Sequence, residues 1–251
     1  MSLEAAQFFE PVISMPLTQV RGDTRCSTRS RAVTLPHLGL GPNNETITVR
    51  LADDAYQRNS ATLLINRMYS WRGYGDDHII PQTPAHITFT ASAGSETVGT
   101  ITLAIDSPNG LAADKIFRNE IDRYRNVPGA KVCELTKLAF DTAVPSKPLL
   151  ASIFHLVFIY GQRKHLCTDL FIEVNPRHVR FYEVMLGFEQ VGNLKINQSV
   201  AAPSQLLRLE VQKIRAKIDE LAGDAGGATT RSLYPYFFSP KEEDGIFARM
   251  S

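Results

Sequence analysis

IEVNPRHVRFYEVMLGFEQVG, residues 172–192, decides how this chain folds. Its first three residues read as the end of a strand. Asn175 can then cap a helix through its side-chain oxygen, and Pro176 suits the first helical position, where no N–H is needed. The helix runs to Gly187, and FEQVG turns back as a strand. A strand, a capped helix and a returning strand in so short a span predict a sheet with helices laid against it.

Working upstream, DLFIEV is the strand that feeds this unit, and before it residues 149–163 form a helix that is apolar nearly all round, which predicts a buried, central position. VCELTKLAF, residues 132–140, alternates as a strand with Glu134, Thr136 and Lys137 near one face. DTAVPSKP breaks it, with Ser146 and Pro148 as start signals for the next helix. HITFTAS and ETVGTITLAID, linked by AGSE, read as an antiparallel hairpin. A charged amphipathic helix is expected over residues 114–124. ITVRLADD leads from a first strand to Asp53 or Asp54 as a helix cap, after which Tyr56, Leu63, Leu64, Met68 and Trp71 fall near helical spacing.

Downstream, QLLRLEV is a last strand running into a helix with Val211, Ile214, Ile218 and Leu221 on one side. The fold class expected is α/β (mixed α+β), with the strands in one mixed sheet and not in a repeated βαβ array. Residues 1–44 read as an irregular N-terminal arm, 45–222 as the main domain, and 223–251 as a Gly-linked tail carrying Tyr234, Tyr236, Phe237 and Phe238.

Composition narrows the function. With 43% hydrophobic and 21% charged residues over 251 positions, the chain can bury one full core. A formal charge of +1 gives no whole-molecule field to gather nucleic acid, so an anionic partner must meet a local patch. Cys26, Cys133 and Cys167 are too scattered for a disulfide framework or a zinc site, which fits a reducing compartment. The N-terminus lacks a basic start followed by an apolar stretch, and Ser152 and His155 interrupt the longest apolar run. A cytoplasmic protein without signal peptide or membrane span is expected.

Residues 172–192 resemble the segment of GCN5-related N-acetyltransferases in which an Asn precedes a helix bearing a Tyr, followed by Gly-Phe and the return strand. Tyr182 stands at that tyrosine's position. One extra residue between Tyr182 and Gly187 matches the N-acyl amino acid synthase branch, as do MYSWRGYG after the first helix, VGTITL in the hairpin and CELTKLAF. CELTKLAF is also similar to the Glu-x-Ser-Arg-Phe strand of acyl-homoserine-lactone synthases, with Thr136 for Ser and Lys137 for Arg. The resemblance spans residues 47–210.

It implies the GCN5-related N-acetyltransferase fold, a central, mostly antiparallel sheet flanked by helices. The implied activity is transfer of a long-chain fatty acyl group from an acyl carrier protein thioester to the α-amino group of an amino acid, a tyrosine-like one favoured. The donor is the carrier's acyl-phosphopantetheine, and no other cofactor is implied. The loop DTAVPSKPLL has no glycine where a coenzyme A pyrophosphate needs close backbone approach, which favours a carrier protein or else marks an ordinary helix start.

Aminolysis needs a neutral amine, so Glu134 is the expected base; the alternative is a strand carboxylate paired with Lys137. Tyr182 is the expected proton donor to the departing thiolate; the alternative is a core tyrosine. A strand bulge near Leu138 or Ala139 would supply backbone N–H groups to the oxyanion. Arg72, Lys137, Trp71 and Asn175 are assigned to the substrate, with Arg72 and Lys137 facing its carboxylate. Arg163, Lys164, Arg177 and Arg180 are assigned to an acidic carrier protein. His155 reads as a satisfied core histidine. Two rivals remain open: an acyl-homoserine-lactone synthase, which would carry a basic residue where Thr102 stands, and an acyl-binding module without catalysis.

Overall fold

The computed structural model describes residues 32–34, 47–141, 147–225 and 231–250. Eight strands form one sheet in the order β1-β2-β3-β4-β5-β6-β8-β7. They are β1 (Ala32–Thr34), β2 (Ile47–Leu51), β3 (His86–Ala93), β4 (Glu96–Ile105), β5 (Val132–Phe140), β6 (Asp169–Val174), β7 (Glu189–Asn197) and β8 (Ala202–Glu210). Only β5 and β6 are parallel; every other pair is antiparallel. The expected arm therefore contributes a strand, β1, while most of it, with Cys26, lies outside the described residues.

The helices start and stop where side chains satisfy their ends. In α1 (Ala55–Ser70) Asp54 is the cap, its carboxylate accepting from the Gln57 N–H at 2.7 Å. In α4 (Pro176–Leu186) the Asn175 side chain accepts from Arg177 N–H, and Gly187 closes the helix at φ +82°, a left-handed conformation that glycine adopts without strain. The buried side of α1 is Ala61, Leu64, Ile65 and Met68, and Tyr56, Leu63 and Trp71 are exposed. Of the five residues noted at helical spacing, Leu64 and Met68 fall on the buried side and the other three do not, because apolar residues occur on both faces of α1.

Opposed residues of antiparallel strands share a face. Thr100, Thr102 and Ala104 of β4 oppose Ala139, Thr136 and Glu134 of β5, so all six lie on one face. One residue of β4, Ile101, thus faces two of β5, a bulge at Lys137–Leu138, with Lys137 at φ +55°. Helix α1 packs on Ala139, and α2 (Asp114–Arg125) packs on Ala104 through Phe117 and Ile121, so both helices cover that face. The opposite face holds α3 (Lys147–Ile159), α4 and α5 (Val211–Leu221) against Leu135, Leu170 and Leu209. As expected from its composition, α3 is buried from Leu149 to Ile159; it runs on through a π turn, Tyr160–Lys164. Ser146 and the loop before α3 lie outside the described residues.

The tail is not an appendage. Tyr234, Phe237 and Phe238 are buried in the main core, and α6 (Pro240–Met250) follows them. Gly99 of β4 sits under Phe140 of β5, and a Cβ there would lie 2.7 Å from the ring. Gly99→Ala is expected to destabilise the fold by about 1–3 kcal/mol, read from the urea midpoint, because the ring must leave its rotamer.

Candidate active site

The parallel contact of β5 with β6 covers only Val132–Leu135 against Asp169–Ile172. Beyond it β5 bulges and continues beside β4, while β6 ends at Val174. The two strands therefore part in the middle of the sheet, and Glu134 stands just before the parting.

Glu134 is 2% exposed. It is not paired with Lys137: its Oε2 accepts from the Ala113 N–H at 3.2 Å, at the N-terminus of α2. Burial pushes its carboxyl up to about 8, against the lowering effect of the Ala113 and Ala112 N–H groups, and the nearby Glu173 and Asp114 carboxylates add to the rise. The helix end that holds it is itself anchored. Arg125 binds Asp106 at 2.7 Å and Asp114 at 2.6 Å, and the Asp114 carboxylate accepts from the Leu111 N–H.

Past the bulge, aromatic and cationic side chains converge. Lys137 Nζ lies 3.4 Å from His78 Nδ1, and the His78 ring meets the Tyr69 ring edge-on at 4.9 Å. The Tyr69 hydroxyl donates to the Leu138 carbonyl at 3.4 Å, within the bulge itself. Burial lifts the Tyr69 phenol to about 12 and the Tyr182 phenol higher still. Tyr69 and Arg72, at and just past the end of α1, lie near enough to Tyr182 of α4 to act on it electrostatically. His178 is held near 4 by burial and by Arg177 and Arg72, so it is neutral at physiological pH. Burial and Lys115 lower the Lys137 ammonium.

Of the residues expected from sequence, Glu134 stands before the parting on the α2 terminus, Lys137 sits at the bulge beside His78, and Arg72 and Tyr182 lie near enough to act on one another. Arg177 donates to the Tyr74 hydroxyl at 3.1 Å. The bulge falls at Lys137–Leu138, and Ala139 is back in register with Thr100. Trp71 is an exposed residue at the end of α1, with the Arg72 guanidinium 6.0 Å from its ring centre. Asn175 is occupied as the α4 cap. Arg163 pairs with Asp244 of α6 at 2.8 Å, Lys164 donates to the Tyr160 hydroxyl, and Arg180 lines a separate groove with Glu183 and Gln190. Tyr69 and His78 were missed: they lie in or beside the MYSWRGYG stretch, but nothing in the sequence says that it folds over residue 138.

Tyr182→Phe removes only a hydroxyl from a packed ring. From the proton-donor role that the resemblance implies, the variant is expected to fold normally and to lose about tenfold or more in kcat, with a much smaller change in KM, in steady-state assays.

The sheet, parted between its two parallel strands and bulged at the parting, has the GCN5-related N-acetyltransferase fold, and the chain is an acyltransferase. Residues 60–210 match the family model described as N-acyl amino acid synthase FeeM, and the chain belongs to that family. The solved structure of FeeM, an N-acyl amino acid synthase from uncultured soil microbes, is 30% identical, with a TM-score of 0.63 over 68% of this chain and 95% of that one. An AHL synthase, LasI, is 12% identical over 66% of this chain and 91% of its own, with a TM-score of 0.49. An acyl-CoA N-acyltransferase from Pseudomonas aeruginosa is 12% identical over 64% and 97%, with a TM-score of 0.46. No curated protein sequence matches. Among the described residues no helix is long and apolar enough to cross a membrane.

Proposed function

We propose that this acyltransferase moves a long-chain fatty acyl group from the phosphopantetheine thioester of an acyl carrier protein to the α-amino group of an amino acid with a tyrosine-like side chain, in the cytoplasm. The observation that carries the reading is the buried Glu134, held near pH 8 beside the parted strands. A base of that strength suits an ammonium group, which must lose a proton before it has a lone pair to attack with. Since Glu134 is covered, the proton reaches it through an intervening water.

The freed amine adds to the thioester carbon, and the oxyanion is met by backbone N–H groups at the Lys137–Leu138 bulge. Collapse breaks the C–S bond, and the Tyr182 phenol, kept neutral by burial, gives its proton to the thiolate and is reprotonated by the second proton that the new amide nitrogen sheds. The products are an N-acyl amino acid and free pantetheine thiol. Arg72 and Lys137 meet the acceptor's carboxylate, and the Tyr69 and His78 rings offer a face to an aromatic side chain. Of the assigned patch, Arg163 is held by the tail carboxylates Glu243 and Asp244, whereas Arg177 and Arg180, at the start of α4, suit an acidic carrier-protein helix.

The test is mass spectrometry of products from purified protein supplied with acyl carrier protein thioesters, the matching coenzyme A thioesters and each amino acid. N-acyl tyrosine formed from the carrier thioester supports the reading in full. Product from coenzyme A alone would overturn the donor, a different acceptor would overturn the amino acid, and no product from any mixture would overturn the reaction.

A further inference from the structure

Resting on that reading, we propose that the C-terminal segment around Tyr234–Phe237, which lies beyond the family-matched residues 60–210, forms the end wall of the acyl-chain site and sets the longest chain accepted. On the α3 face of the sheet is a narrow cavity whose walls are Leu135, Phe154, Phe158, Leu186, Phe188 and their apolar neighbours, with Tyr234 and Phe237 among them. One side adjoins Tyr182: the Phe154 and Phe188 rings both meet the Tyr182 ring edge-on, at 6.4 and 5.8 Å. Tyr234 and Phe237 complete the lining.

The walls offer no charge, and their one hydroxyl is already used: Tyr234 donates to the Leu186 carbonyl at 2.8 Å. Such a space suits an uncharged, unbranched hydrocarbon attached to something that reacts at Tyr182, and an acyl chain is that. The cavity is small, about 20 Å3, so a chain enters by turning wall side chains aside. Walls on α3 and the sheet are locked in the core. The Tyr234–Phe237 segment follows the last strand and is tied back by two backbone bonds, Leu233 N–H to the Met185 carbonyl and Gly223 N–H to the Phe237 carbonyl. It is also tied by side chains: the buried His155 stacks on the Phe237 ring at 4.7 Å and on the Phe238 ring at 5.2 Å. His155 Nδ1 accepts from the Phe238 N–H at 2.9 Å, so its Nε2 carries the proton and donates to Glu243. His155 thus fixes how far into the cavity Phe237 reaches.

The experiment measures kcat/KM for a homologous series of saturated acyl thioesters, on acyl carrier protein and on coenzyme A, with the full-length protein and its Phe237→Ala and Phe237→Trp variants. Phe237→Ala should move the preferred chain to longer members, with a gain of about fourfold for each further methylene that becomes buried, and Phe237→Trp should move it to shorter ones. KM for the amino acid should not change in either. Phe237→Leu, a smaller change in volume, gives the same reading if the alanine variant does not fold. Folded variants with the wild-type chain-length profile would overturn the end wall while leaving the acyl transfer intact. A wild-type protein that turns over no thioester would overturn both.

Discussion

Glu134→Gln is expected to lower kcat/KM by about 10²–10⁴-fold while making the protein more stable at pH 8 than the wild type. The amide keeps the shape and can still accept from the Ala113 N–H, so the loss reports on the base and not on the fold. The stability effect has a definite sign. In the folded state the carboxyl is raised from its ordinary value to about 8, so the folded protein holds a proton that the unfolded chain releases. That contribution is whole at low pH and is lost as pH rises through about 8, at a slope near ~1.4 kcal/mol per pH unit. Glutamine does not ionise, so the variant should lack this slope. Urea unfolding at several pH values between 5 and 9 checks it. If both proteins lose stability in parallel over that range, Glu134 is not a buried acid, and its role as base goes too.

Glu243→Ala is expected to cost about 2–4 kcal/mol at neutral pH, because it leaves the buried His155 and the partly exposed Arg215 without their shared anion. Glu243 is 3% exposed, yet it accepts both arms of the Arg215 guanidinium, at 2.8 and 3.0 Å, and the His155 Nε2–H at 3.3 Å. Burial alone would raise its carboxyl, but the bonds from His155 and Arg215 outweigh burial and hold it near 2. The sign is opposite to that of Glu134. This carboxylate stabilises the fold above the ordinary carboxylate range, and the contribution fades as pH falls toward about 2. The wild type and the alanine variant should therefore converge in acid. Guanidinium unfolding at pH 7 and pH 3 checks this, with hydrogen exchange at the Phe238 amide as a local probe. A variant as stable as the wild type at pH 7 would mean that the tail is not fastened through His155.

Most of the fold was legible because its punctuation is local. Asn175 and Gly187 bound α4, Asp54 starts α1, and the alternation in VCELTKLAF gives β5 its limits at Val132 and Phe140. These signals work within one turn or one strand, where cap geometry and side-chain period act directly. The buried side of α1 was not legible, since an isolated helix with apolar residues on two sides does not say which one meets the sheet. Arg163 was read as a surface cation for the same reason: its partners Glu243 and Asp244 are some eighty positions away along the chain.

By itself the sequence determined the element types, the order that makes one mixed sheet, the resemblance to N-acyl amino acid synthases, and Glu134 and Tyr182 as the residues to examine. Tertiary structure alone decided what those residues are. Burial against the α2 terminus, and not residue type, lifts Glu134 to about 8. The bulge at Lys137–Leu138 and the parting of β5 from β6 bring Tyr69, His78 and Tyr182 together from distant parts of the chain. A tail that composition left unassigned became part of the core, because burying Tyr234, Phe237 and Phe238 against α3 offsets the entropy of ordering them. Propensity and capping act between near neighbours, whereas pKa, cavity shape and the closure of a core depend on contacts between residues far apart in sequence.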